Sequence, residues 1–383
     1  MASHMQITMV EPGNREQARA VAKQAAELLR DGGLVVFPTE TVYGVAAAAT
    51  SDIGMQRLRQ LKADGEARAF TVHLPTPFAA DRYVDMADPF LKRAIEKSFP
   101  GAVTLIIDVT NELIDRKLRD SGLTYARDRI YHAQSVSLRC PDHELTQQML
   151  GSLDEPIVAA AAHRPGQPAP HDAHAAAEAL DGQVDLIIDG GRSRYARPST
   201  VVHLAGEGVS RHIKVEREGV YDERYIRKML RWTMLLVCSG NTCRSPMAEG
   251  LASKLLADQR GIATDELEAA GLRVLSAGVS AMPGMPAADH AIEALQKQGI
   301  DIASHRSRPL TPELIHDADV IYTMTDSHRQ AVLQLAPWAE DKTFTLDPRG
   351  DIDDPIGTGA TSYQRTAEVI RRRLESRLKE QQP

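Results

Sequence analysis

Apolar residues recur along the chain with two different periods, and the change of rhythm divides it. Residues 15–31 place Ala18, Val21, Ala25 and Leu28 on one helical face, and Gly32-Gly33 stops that helix. Leu34 to Phe37 is a short unbroken apolar run, as in a buried strand, and it enters a hydroxyl-rich loop at residues 38–44. The pattern predicts a short helix over 54–62, a strand over 70–74, a helix over 88–98 and a turn and strand over 100–107. Residues 134–139 alternate again, 156–162 is a strand entering a loop, and 184–191 and 198–203 complete the set. Strands and helices mix here without strict alternation, which predicts an α+β twisted open sheet.

From residue 233 the alternation is clean. A strand at 233–237 precedes a helix at 245–257, and a strand at 272–275 precedes a helix at 286–298 with Ala288, Ile292 and Leu295 inward. A short helix at 310–315, a strand at 319–324, a helix at 326–335 and a strand at 343–346 follow. The last helix, 361–380, carries Ala367, Ile370, Leu374 and Leu378 on one side. Such alternation implies a doubly wound parallel sheet with helices on both faces and a ligand at the carboxyl ends of the strands. Between the halves, Tyr221 to Trp232 reads as a charged helical connector with no Gly or Pro. The expected organisation is therefore α/β in two domains, 6–220 and 233–383, joined by 221–232.

Length and charge narrow the classes. A chain of 383 residues can bury two or three full cores. A net charge of −7 argues against a non-specific grip on nucleic acid. No apolar run reaches membrane-span length, so no membrane partner is expected. Met1 to Met5 reads as a cloning scar, and no signal-peptide pattern follows it. Three cysteines, Cys140, Cys238 and Cys243, cannot build a disulfide framework, which points to the reducing cytoplasm. No Cys/His cluster has metal-ligand spacing, and His171 and His174 read as exposed residues of a helix start.

One stretch concentrates chemistry: Met234-Leu-Leu-Val-Cys238-Ser-Gly-Asn-Thr-Cys-Arg244-Ser-Pro-Met-Ala-Glu249. An apolar strand runs into a tight loop through Gly240 and Asn241, and then into a helix. Ser245 is expected as the helix N-cap and Pro246 as its first residue. Loop amides and a helix N-terminus favour an anion, and the same field is expected to lower the thiol pKa of Cys238. Arg244 can hold two phosphate oxygens with its planar fork. A nucleophile, an anion cradle and a bidentate clamp within seven residues describe covalent phosphoryl transfer, with no cofactor required.

This stretch resembles the low-molecular-weight protein tyrosine phosphatase family. The resemblance implies Cys238 as nucleophile, Arg244 as phosphate clamp, and Ser245 as a hydroxyl that eases thiolate departure. It maps the general acid of an Asp-Pro pair to Asp354-Pro355, with Asp351 and Asp353 as solvated loop carboxylates and Asp347-Pro348 as a second Asp-Pro pair. Ser239, Gly240, Asn241, Thr242 and Cys243 form the expected substrate loop, braced by Asn241 and Ser276. Cys243 has two readings: partner of Cys238 in a reversible disulfide, as in some family members, or a small residue packing the helix start. The tyrosine-specific branch typically has Ile where this chain has Thr242; the protein arginine phosphatase branch has Thr. Ile356 stands where the tyrosine branch places an aromatic ring and the arginine branch often has Phe; losing the ring removes a stacking contribution of about 0.5–1.5 kcal/mol, which weakens the phosphotyrosine case without proving the phosphoarginine one. Phosphorylated proteins are the implied partners, with phosphoarginine ahead of phosphotyrosine.

The first half resembles the YrdC-like, threonylcarbamoyl-AMP synthase family over roughly residues 10–220. The motifs are Pro38-Thr-Glu-Thr-Val-Tyr-Gly44, Pro100-Gly-Ala-Val-Thr104, Val136-Ser-Leu-Arg139, Pro198-Ser-Thr-Val-Val202 and Arg217-Glu-Gly219. The family condenses threonine, bicarbonate and ATP, a step in tRNA modification. The resemblance implies Thr39 near threonine, and Lys62, His73, Arg139 and Ser199 toward substrate or nucleotide. It also implies ATP, another nucleotide or double-stranded RNA as ligands of this half. Two departures count against the adenylation chemistry. Where the family has Lys-x-Arg, this chain reads Lys62-Ala63-Asp64, and a unit charge at contact is worth about 4 kcal/mol at an intermediate dielectric. Arg68 stands where a second Lys is usual. The hydroxyl-rich loop that bonds ATP in the family reads Ala159-Ala-Ala-Ala-His163, whose methyls offer no such bonds.

Overall fold

The computed structural model describes residues 5–11, 13–62, 70–206 and 212–381. Asp64 and Arg68 lie outside them. The chain forms two compact units, divided between Met229 and Leu230.

The first unit is built on eleven strands: β1 (Gln6–Met9), β2 (Val35–Phe37), β3 (Gly44–Ala48), β4 (Thr71–His73), β5 (Val103–Asp108), β6 (Tyr131–His132), β7 (Ser135–Arg139), β8 (Ile157–Ala161), β9 (Leu186–Asp189), β10 (Thr200–Ala205) and β11 (His212–Arg217). They form one mixed sheet in the order β1-β9-β2-β3-β8-β4-β7-β5-β10-β11, with β6 paired to β7. The helix Arg15–Arg30 buries Val21, Ala22, Ala25 and Leu29 against Val35, Phe37, Ala46 and Leu186, together with Met149 of the helix Glu144–Gly151. Small alanines on that helix let it lie close to the sheet. β3 and the helices Asn111–Asp120 and Glu144–Gly151 are elements that the apolar pattern did not signal. β3 reads Gly-Val-Ala-Ala-Ala, which has little strand propensity; antiparallel pairing to both β2 and β8 holds it extended.

Neighbouring strands expose one set of alternate residues. Thr71 and His73, Thr104 and Ile106, and Ser137 and Arg139 are each two apart, so each pair points to one face. The intervening Val72, Leu105, Val136 and Leu138 are buried. The polar set lines a cavity of about 1090 Å³.

The second unit carries four parallel strands, β12 (Trp232–Cys238), β13 (Leu272–Gly278), β14 (Val320–Thr323) and β15 (Thr343–Thr345), in the order β13-β12-β14-β15. β12 is buried along its whole length because apolar layers cover both faces. Met234, Leu236 and Cys238 join the core with Met247 and Leu251 of the helix Arg244–Arg260 and with Ile370 and Leu374 of the helix Ala360–Gln381. Leu235 and Val237 join the opposite core with Ile315 and Val332. Among the described residues no helix is long and apolar enough to cross a membrane.

Candidate active site

The loop after β12 is held by its carbonyls. Val279 N–H donates to the Cys238 carbonyl and Ser280 N–H to that of Ser239, both at 3.0 Å. His305 Nε2 donates to the Asn241 carbonyl and Ala288 N–H to the Thr242 carbonyl, both at 2.9 Å. Carbonyls anchored outward turn the peptide N–H groups inward, toward the sulfur. Asn241 N–H reaches Cys238 Sγ at 3.3 Å. Asn241 adopts φ +54°, a left-handed conformation that asparagine tolerates. Its side chain spans the loop: Nδ2 donates to Ser245 Oγ at 2.9 Å and to Ser276 Oγ at 2.8 Å, while Oδ1 accepts from Arg308 N–H at 2.8 Å. Ser276 in turn donates to Glu249.

Ser245 is not the helix cap expected from its sequence position. The helix starts at Arg244, with Cys243 in the cap position and no side-chain capping bond. The Ser245 hydroxyl instead lies 2.9 Å from Cys238 Sγ. The hydroxyl thus faces the sulfur rather than capping the helix amides, with the Ala277 carbonyl farther off at 3.5 Å.

The expected fall of the Cys238 pKa is also corrected. Burial pushes the thiol up and outweighs the Ser245 contacts, the Asn241 amide and the Arg244 charge, all of which pull it down. The residue is 3% exposed, so little water reaches a thiolate there. Part of the missing pull is Arg244 itself. Its Nη2 pairs with Asp354 Oδ2, Nη1 donates to the Ile352 carbonyl at 3.0 Å, and Nη2 also reaches Ser239 Oγ at 3.4 Å.

Asp354, expected as the acid, and the neighbouring Asp347 and Asp351 have different surroundings. Asp347 is bound by Arg373 at 2.7 Å. Asp351 accepts the Asp326 N–H at 2.8 Å. Asp354 alone of the three is paired to the clamp Arg244. Asp353 is exposed. Thr242 is half-buried, with its hydroxyl 3.7 Å from Cys243 Sγ. Gly240 would accept a Cβ, whose nearest neighbour would be Thr242 Oγ1 at 3.5 Å. Ile356 is 65% exposed and forms no packed wall. Cys238 and Cys243 are both free thiols, and Cys243 Sγ lies 3.2 Å from Tyr363 Oη. His305, His328 and Tyr363 are site residues that motif reading missed, because they arrive from separate segments and carry no local signature; Glu249 ends the motif stretch itself, but its bond to Ser276 forms only in the fold.

In the first unit, Thr39, Lys62, His73, Arg139 and Ser199 all line the cavity of about 1090 Å³. Much of their bonding capacity is already used. Thr39 Oγ1 donates to the Val42 carbonyl at 2.6 Å. Lys62 Nζ donates to the carbonyls of Ala161 at 3.0 Å and His163 at 2.5 Å. Arg139 pairs with buried Glu40 at 2.9 Å. Ser199 Oγ lies 2.9 Å from Thr104 Oγ1. Burial and the Arg139 charge push the His73 pKa down to about 3, so the ring is neutral. The Thr71 carbonyl, 3.0 Å away, accepts from Nδ1–H and leaves Nε2 as the acceptor. Arg217, also on the cavity, is lowered by burial and by Arg139. Ala159, Ala160 and Ala161 line the same cavity and bring no side-chain hydrogen-bonding group to it; on β8 Ala159 and Ala161 share one face of the sheet and Ala160 points to the other. Among the described residues no group of three or more His, Cys, Asp or Glu could share a metal ion.

Residues 233–382 match the family model described as low molecular weight phosphotyrosine protein phosphatase. Residues 27–219 match the Sua5, YciO and YrdC model, described as telomere recombination. The chain is 39% identical over 154 residues to the protein-arginine-phosphatase of Bacillus subtilis, covering 38% of this chain and 96% of that protein. It is 34% identical over 146 residues to the probable low molecular weight protein-tyrosine-phosphatase EpsP of Ralstonia nicotianae, covering 38% of this chain and 92% of that one. It is 30% identical over 184 residues to the threonylcarbamoyl-AMP synthase of Bacillus subtilis, covering 48% of this chain and 50% of that protein. The chain thus spans half the length of this last relative.

Proposed function

The chain belongs to the Sua5, YciO and YrdC family through residues 27–219 and to the low molecular weight phosphotyrosine protein phosphatase family through residues 233–382, and on that premise we propose that its second unit removes phosphate from phosphoarginine in proteins. The observation that carries the reading is the Cys238 sulfur facing Ser245 and the Asn241 amide, with Arg244 buried in the same loop. Arg244 takes two oxygens of the phosphoryl group, and the amides take the third. Cys238 then forms the S–P bond as the P–N bond breaks, and the Asp354 carboxyl gives its proton to the departing guanidine nitrogen. Water attacks the phosphocysteine in a second step. Asp354 accepts the water's proton, and the Ser245 hydroxyl donates to the leaving thiolate.

Thr242 supports phosphoarginine over phosphotyrosine. A small hydroxyl beside the phosphorus suits a planar cation, for which Asp354 is a counter-charge, and exposed Ile356 offers no aromatic face for a phenol. Phosphotyrosine is the second reading, favoured by the likeness to the tyrosine-phosphatase relative. Turnover of phosphoarginine and phosphotyrosine proteins by the full chain separates the two. Phosphoarginine should be faster, and Thr242→Ile should reverse the order. An unchanged ratio removes Thr242 as the selector. Loss of all turnover in Cys238→Ser is expected on both readings.

For the first unit we read a retained cavity with impaired adenylation. The support is the run Ala159–Ala161 on the cavity, which offers no side-chain hydroxyl or amide, and a Lys62 ammonium already bonded to two carbonyls. ATP would enter this cavity as a substrate, beside Arg139, Arg217 and Ser199. Binding of a nucleotide or RNA without turnover is the corresponding role.

A further inference from the structure

His328 belongs to no motif and lies at the start of the helix Asp326–Leu335, yet it is 5% exposed and reaches the phosphatase loop. Its Nε2 is 2.8 Å from Ser239 Oγ, and its Nδ1 is 2.8 Å from Thr325 Oγ1. Ser239 Oγ is also 3.4 Å from Arg244 Nη2. The charged groups facing the ring are Arg244, Asp354 and Asp351.

We infer that His328 is a positioning residue of the phosphatase site, which holds the Arg244 clamp in place through the Ser239 hydroxyl. The inference rests on the phosphatase reading above. Arg244 can only donate, so Ser239 Oγ accepts from it. Burial and the nearby Arg244 charge keep the ring neutral, with a pKa lowered to about 4. A neutral ring bridges the Ser239 and Thr325 hydroxyls in either tautomer, one nitrogen donating and the other accepting. Thr325 Oγ1 also accepts the His328 N–H at 3.3 Å and lies 2.8 Å from Ser327 Oγ.

The link matters most with substrate bound. Asp354 must turn from Arg244 to the leaving atom. The anchors left on the guanidinium are then the Ile352 carbonyl and Ser239. Without His328 the Ser239 hydroxyl is free to rotate, and the fork loses one of two fixed points.

The test is inhibition of the 383-residue chain by inorganic phosphate, with kcat and KM measured on one phosphorylated protein. His328→Leu should weaken phosphate inhibition roughly fivefold to tenfold and raise KM, the scale of one lost hydrogen bond between neutral groups. His328→Gln, which keeps an acceptor within reach of Ser239, should recover most of the loss. Ser239→Ala breaks the same link without touching the helix, and adding it to His328→Leu should cost little more. Additive losses in the double variant, or unchanged phosphate inhibition in both single variants, overturn the inference. A parent protein that hydrolyses no phosphoprotein overturns the phosphatase reading, and this inference falls with it.

Discussion

The Arg244 guanidinium and the Asp354 carboxylate form an ion pair that joins the nucleophile loop to the loop following β15. The clamp and the proposed acid therefore neutralise each other when no substrate is present. Removing Asp354 should return the full Arg244 charge to the neighbourhood of the sulfur. Asp354→Ala should speed alkylation of Cys238 by iodoacetamide at pH 7, on the order of threefold to tenfold, while turnover of poor leaving groups falls. An unchanged or slower alkylation rate refutes the idea that the pair restrains the thiol.

Gly278 ends β13 directly under the loop. A Cβ there would lie 2.4 Å from the Ser239 carbonyl oxygen and 2.9 Å from the Asn241 nitrogen, both backbone atoms that cannot swing aside. Gly278→Ala should cost about 2 kcal/mol of stability and most of the phosphatase turnover. Gly240→Ala, with its nearest contact at 3.5 Å, should be far milder in stability. Urea denaturation of both variants decides this, and equal midpoints would contradict it.

His73 makes the first unit sensitive to acid. Its pKa is about 3 in the folded chain against an ordinary 6.5, so between those values the unfolded chain binds a proton that the folded chain does not. The stabilisation is full above pH 6.5 and is lost as pH falls toward 3. At pH 5 the loss from this group is about 2 kcal/mol. Denaturation of the parent and of His73→Gln at pH 7.5 and 5 should show a smaller pH effect in the variant. Parallel losses would exclude His73 as the source.

The alanine run of β8 has a direct readout. With ATP, threonine and bicarbonate, the full chain should release no pyrophosphate above a protein-free control. Clear turnover would reinstate the adenylation chemistry in the first unit.

What could be read in the sequence was whatever repeats or clusters locally. The run Met234–Val237 announced β12, and Cys238 to Arg244 announced the loop, because strand, loop and helix are contiguous there. Partners from other segments were hidden. His305 and His328 reach Asn241 and Ser239 only after folding, and a lone buried His has no periodic signal; the bond of Ser276 to Glu249 of the motif stretch likewise forms only in the fold. Ser245 was misassigned as a cap for a related reason: Ser before Pro favours a helix start, but the buried sulfur competes for the same hydroxyl. The thiol pKa was misjudged because sequence shows the donors and not the depth of burial.

The two apolar layers on either side of β12 assign odd and even positions to opposite sides, and the sulfur takes its turn in that count after Leu236. Parity is therefore part of the chemistry. One residue inserted within this strand would send the nucleophile into the wrong layer, whereas two would restore its side and only displace it along the axis. A length change in the middle of a hydrophobic strand can thus silence a reaction that no altered polar group would explain.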